Sequence, residues 1–309
     1  MKKALKYIGL TIIIALAAGL TIFYFFPQKI IDTTNWTYSQ EAKLEKKSIV
    51  IDNYTVNYYQ SKTWDKKQTL VLLHGMGDDK SSFLQSAIEL SQKYNLILPD
   101  LNGHGENAKD KDRNYSIKGQ TIFLNQFFKA LKINYFYLGG NSMGGHTALA
   151  YTLNYPEEVK SLILINAPGV TLDDHIVYGG FGKPMKTAED LNKVLDRVFY
   201  KAPELPAPIA NYMIETINNN LDFVDHVLVP SIVKGADFNL KNSIHNIGVP
   251  TLILWGKHDS VVKANVPIYL HKNIKNSNLV YIENASHSPQ LEQPEVVAEA
   301  IISFLNEVK

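Results

Sequence analysis

The sequence predicts an α/β protein: a mostly parallel sheet covered by helices on both faces, with a helical segment inserted into it. Three observations predict this. Short apolar runs alternate with helical patterns from residue 69 to residue 166. The alternation stops between about residues 170 and 243, where helical stretches and Pro184, Pro203, Pro206, Pro208 and Pro230 take over, and strand patterns resume at Thr251. Between the two, Gly140-Asn141-Ser142-Met143-Gly144 sits after an apolar run and before a helical pattern, the context a nucleophile elbow requires.

Composition sets outer limits. The chain has 309 residues, 45% of them hydrophobic, and a formal net charge of +1. That is enough for a large core and gives no reason to expect a nucleic-acid partner. With no cysteine, disulfides, thiolate chemistry and cysteine-bound metals are excluded.

Lys2, Lys3 and Lys6 precede an uncharged run from Tyr7 to Gln28, whose apolar part, Ile8 to Phe26, is long enough to cross a bilayer. Residues 1–28 are therefore expected to be an uncleaved membrane anchor, with the catalytic domain on the extracytoplasmic side. A cleaved signal peptide is the first alternative and a buried helix the second. Residues 29–47 read as a polar connector with a short helix around Ser39 to Lys47. Residues 48–169 and 244–309 read as the α/β core, and 170–243 as a helical cap. Its Phe181, Tyr212 and Phe223 are candidates to pack the cap down or to line an apolar pocket above Ser142.

The expected strands are Ser48–Ile51, Tyr54–Gln60, Thr69–Leu73, Asn95–Pro99, the run before the elbow, Val159–Asn166, Thr251–Trp255 and Asn278–Ile282. Helical patterns cover Ser81–Lys93, Ser116–Leu131, Met143–Asn154, Thr187–Val198, Pro208–Asn218 and Pro294–Glu307, with further ones near Leu221–Leu228 and Ile232–Phe238.

A serine hydroxyl needs a base to take its proton, and histidine serves near neutral pH. The base in turn needs an acid on its far nitrogen. Asp259 and His287 each follow a predicted strand, so both belong at the sheet edge that carries Ser142. Gly140 and Gly144 let strand and helix approach closely around the serine. The third predicted strand ends in His74-Gly75-Met76-Gly77, whose glycines let backbone N–H groups face a small anion. The Met76 and Met143 amides are the candidate oxyanion donors. His74, His146, His258 and Asp100 read as structural, Glu283 and Glu292 as minor alternative acids, and Asp173-Asp174-His175 as a faint metal hint without further ligands. No cofactor or metal is expected.

On His74-Gly75-Met76-Gly77, Gly140 to Gly145, Trp255 to Asp259 and Ala285 to Pro289, the sequence resembles the α/β-hydrolase superfamily, and within it the capped serine esterases and lipases. It is similar to membrane-anchored monoacylglycerol lipases of the ABHD6 type and to bacterial cold-active lipases. The resemblance implies an eight-stranded sheet with the cap after the sixth strand. It also implies Ser142 as nucleophile, Asp259 as acid, His287 as base, and Met76 with Met143 as oxyanion hole. Two positions depart from the pattern: Ser286 replaces the usual glycine, and Asn102 the usual arginine or glycine. The expected reaction is hydrolysis of medium- to long-chain acyl glycerols at a membrane by an acyl-enzyme route. Alternatives are a C–C hydrolase, amidase or acyltransferase with the same triad, or a non-enzymatic tethered binding domain.

Overall fold

The computed structural model describes residues 19, 21–172 and 178–308. Eight strands form one sheet in the order β1-β2-β4-β3-β5-β6-β7-β8. They are β1 (Leu44–Ile51), β2 (Tyr54–Ser61), β3 (Thr69–Leu73), β4 (Asn95–Pro99), β5 (Phe136–Asn141), β6 (Val159–Ile165), β7 (Thr251–Gly256) and β8 (Ser277–Ile282). β1 pairs antiparallel with β2, and β2 antiparallel with β4; every pairing from β4 through β3 to β8 is parallel.

The period of two along each central strand splits the core between the two faces. On β6, Leu162 and Leu164 join one cluster while Ile163 and Ile165 join the other. On β7, Ile253 and Trp255 divide from Leu252 and Leu254 in the same way. Helices Ile117–Leu131, Met143–Asn154 and Asn265–Asn273 contribute to the first face, and Leu84–Leu90 and Pro294–Glu307 to the second. Because both faces are covered, β3 to β7 read as nearly continuous apolar runs.

The cap lies between β6 and β7, with helices Ala188–Val198, Ala207–Phe223 and Val229–Lys234. Its first helix begins at a capping box, Thr187 Oγ1 accepting from the Asp190 N–H. Met185, Leu191, Leu195, Ala210 and Ile214 give the cap a small core of its own. Asp173-Asp174-His175, the faint metal hint, falls outside the described residues.

Three elements differ from expectation. β1 starts at Leu44, four residues early, and Lys46 and Lys47 are part of it. It is an edge strand with mostly half-exposed or exposed residues, so its apolar alternation is faint, and lysines suit an edge. The helix before it runs Pro27–Glu41 rather than Ser39–Lys47. The helix Asn265–Asn273 has no counterpart in the sequence reading.

The structure also overturns the expected anchor. Most of the Ile8 to Phe26 run lies outside the described residues. Among those described, no helix is long and apolar enough to cross a membrane. At the junction, Phe26 leaves helical geometry at φ −135° and ψ 54°, and Pro27 opens a new helix carrying Lys29, Asp32, Asn35 and Glu41, so that helix is itself no apolar span. The membrane as partner through an N-terminal helix, the extracytoplasmic placement, and the part of the functional expectation that located catalysis at a membrane fall with it.

Candidate active site

The carboxyl ends of the parallel strands bring the site together. Between β5 and helix Met143–Asn154, Ser142 adopts φ 52° and ψ −120°, a conformation ordinary residues avoid. Its N–H donates to the Ile165 carbonyl of β6 at 2.9 Å, which fixes the turn to the sheet. Only glycine fits on either side. A Cβ on Gly140 would lie 2.4 Å from the Gly144 carbonyl carbon, and one on Gly144 would lie 2.3 Å from the Leu73 carbonyl oxygen.

The loop after β3 lies against this elbow. A Cβ on Gly75 would meet Asn141 Oδ1 at 3.2 Å and Ser142 Cβ at 3.4 Å, and Gly77 takes φ 79°. His74 is buried; its Nε2 accepts from the Leu101 N–H at 3.0 Å, so Nδ1 carries the proton that bonds the Gly75 carbonyl at 2.8 Å. His74 thus ties this loop to the one after β4. There Asp100 accepts from the Lys80 N–H at 2.8 Å and the Glu106 N–H at 3.0 Å and pairs with Lys80 Nζ at 2.7 Å, all in the interior of the loop. Met143 is the first residue of its helix, so its N–H has no acceptor within the helix.

His287 Nε2 lies 2.8 Å from Ser142 Oγ, and His287 Nδ1 lies 3.2 and 3.1 Å from the two Asp259 oxygens. Asp259 is itself held by the Val261 and Val262 N–H groups at 2.8 and 3.1 Å and by Asn166 Nδ2 at 2.7 Å. Asn166 was not anticipated. It sits just past β6 at φ 44°, donates also to the Ser286 carbonyl at 3.2 Å, and accepts from the Gly256 N–H at 3.0 Å. Asn141, next to the serine, donates to the His287 carbonyl at 2.9 Å.

Ser286 uses the hydroxyl that a glycine would lack. Its Oγ donates to the His258 carbonyl at 3.0 Å, joining the acid loop to the histidine loop. Asn102 makes backbone and side-chain bonds to Gln120 and Asn114. The other candidates stand apart from the relay. His258 stacks on Tyr200 with ring centroids 4.3 Å apart, and Glu283 pairs with Lys257 at 2.8 Å on the surface. His146 accepts from Tyr178 Oη at 2.8 Å and donates to the Asp237 carbonyl at 3.0 Å; burial lowers its pKa to about 4. His104 is pushed down to about 3, first by burial and then by the neighbouring His74. Burial raises the pKa of Glu292.

A cavity of about 880 Å³ runs beside the loop after β3. Ile31 and Trp36, Tyr212 and Phe223 of the cap, and Asp78 and His104 are among the residues that line it. Ser142 is not part of its lining, so this space is not the apolar pocket expected above the serine. Phe199, Leu205 and Met213 pack into the cap's own cluster.

The sheet order, the cap after the sixth strand and the strained serine define an α/β hydrolase. The alpha/beta hydrolase fold family matches residues 68–294, and the chain belongs to it. It is an enzyme of the serine esterase and lipase kind. A solved structure of a membrane phospholipase A, described as a bacterial virulence factor, is 31% identical, with a TM-score of 0.84 over 100% of this chain and 99% of that one. Lipase 1 of Psychrobacter immobilis is 29% identical over 85% of each chain. Monoacylglycerol lipase ABHD6 of Mus musculus is 26% identical over 97% of this chain and 94% of its own.

Proposed function

We propose that the protein hydrolyses carboxylic esters with an apolar acyl chain through a covalent acyl-enzyme, with Ser142 as nucleophile, His287 as base and Asp259 as acid. The observation that carries this reading is the unbroken relay from Ser142 Oγ to His287 Nε2 at 2.8 Å and from His287 Nδ1 to Asp259 at 3.1 Å.

Ser142 Oγ attacks the ester carbonyl while its proton passes to His287 Nε2. The negative charge that develops on the carbonyl oxygen is met by the Met76 and Met143 N–H groups, the second at a helix N-terminus. His287 then gives the proton to the leaving alcohol. Water enters, loses a proton to His287 and attacks the acyl carbon, and the acid product leaves with Ser142 restored. Asp259 stays ionised throughout and holds the Nδ1 proton. The acyl preference is supported by the names of the relatives, which are lipases and a phospholipase.

Turnover of p-nitrophenyl esters of increasing chain length tests the reading, together with labelling by a fluorophosphonate. Wild-type protein should turn over the esters and be labelled at Ser142. Ester turnover that survives in Ser142→Ala would refute it.

A further inference from the structure

We infer that Glu292 is a positioning residue for His287: its carboxylate binds the histidine loop to the end of the first cap helix, so the cap takes part in setting the imidazole. The inference rests on the proposed role of His287 as base.

Glu292 Oε1 accepts from the Ser286 N–H at 2.7 Å, one residue before the histidine. Its Oε2 accepts from the Tyr200 N–H at 2.6 Å, and the Lys201 N–H bonds the same carboxylate. Tyr200 and Lys201 follow directly on the cap helix that ends at Val198. The carbonyl of Val198 accepts the N–H of His287 itself at 2.9 Å. Two successive amides of the histidine loop are therefore held from the cap side, one by Val198 and one through Glu292. On the other side, Asn141 of the elbow holds the His287 carbonyl. The acid loop is drawn into the same junction, since Ser260 Oγ donates to the Arg197 carbonyl at 2.9 Å and Tyr200 stacks on His258.

A carboxylate is needed here because it only accepts. Each of its hydrogen-bond partners is an N–H, and an amide in its place would turn an NH2 toward at least one of them. Glu292 touches neither Ser142 nor Asp259 through a hydrogen bond, so it acts through the loop it holds.

The test uses Glu292→Gln, nearly isosteric and suited to keep the fold, beside Glu292→Ala. Concentrations are fixed by titrating folded, labelled sites. Glu292→Ala should lower kcat for a small soluble ester roughly ten- to a hundredfold, the weight of hydrogen bonds to a charged group, with KM nearly unchanged. Glu292→Gln should fall between it and wild type. Amide hydrogen exchange should rise in residues 198–201 and 285–288 together, and stay level in the elbow helix. A lower melting temperature with kcat per folded site within twofold of wild type overturns the inference. So does exchange that rises in only one of the two segments, whatever the labelling result. Failure of wild-type protein to label or turn over esters would instead remove the proposed function, because the exchange measurement needs no activity.

Discussion

The two halves of the site are held by opposite means. Around Ser142 the fixing is steric: Gly140 and Gly144 let backbone meet backbone, and any side chain there would overlap a neighbour. Around Asp259 and His287 the fixing is polar: Asn166, Asn141, Ser286 and Glu292 each make side-chain hydrogen bonds to the acid and histidine loops. The first half has no give, because close-packed backbone has two states, fitting or not. The second is adjustable, because each bond can be removed singly at moderate cost. A rigid nucleophile facing an adjustable base is a division suited to acylation and deacylation, in which the serine stays put and the proton moves.

Substitutions can break or sharpen that contrast. The largest loss is expected from Ser142→Ala, which should reduce ester turnover by ~10⁴-fold or more while the melting temperature stays near wild type. Gly144→Ala should be nearly as damaging by another route. Its Cβ would sit 2.3 Å from the Leu73 carbonyl, so the protein should lose about 3 kcal/mol or fail to fold, as read from urea unfolding. A Gly144→Ala protein with wild-type stability would erase the steric half of the comparison. Asn166→Ala should lower kcat per folded site roughly ten- to a hundredfold by releasing one donor from Asp259, and lower the urea midpoint as well, because the Gly256 N–H and Ser286 carbonyl lose their partner.

The smallest effect is in pH dependence, and its sign differs between the halves. His146 and His104 have pKa values lowered to about 4 and about 3 from an ordinary 6.5, so the unfolded chain takes up their protons first as pH falls. Their contribution to stability is full above 6.5 and is lost as pH falls toward those values. Glu292, with its pKa raised, contributes in reverse: fully below the ordinary 4.5, and lost as pH rises through its folded value. Urea midpoints at about pH 7.5 and 5 should therefore show a shallower slope in His104→Gln/His146→Gln than in wild type.

The contrast also explains what could be read before folding. Steric fixing leaves a local mark: a glycine two places on either side of a serine, after one strand and before one helix. Central strands announce themselves as apolar runs, so β3 to β7 were legible, whereas the edge strand β1 hid its first four residues behind Lys46 and Lys47. Polar fixing leaves no local mark. Asn166 and Asp259 are 93 residues apart, and nothing adjacent to either announces the bond. One signal was available: Asn166 closes a strand whose carboxyl end lies between those leading to Ser142 and Asp259, the same positional argument that singled out the acid. Glu292 was considered only as a rival acid, because its partners are backbone amides and carry no residue-type signature.

One imidazole has an effect beyond its own neighbourhood. His146 grips Tyr178 on the chain's way out of the sheet and Asp237 on its way back, and the Leu240 N–H closes on the Gly169 carbonyl at 2.7 Å. The outgoing and returning stems are thus stapled side by side at the base of the helix that bears Ser142. The inserted segment is thus tied at its base and a second time at Arg197, Val198 and Tyr200, where it meets the acid and histidine loops. Length changes in its surface loops away from those two ties should be tolerated better than changes at either of them.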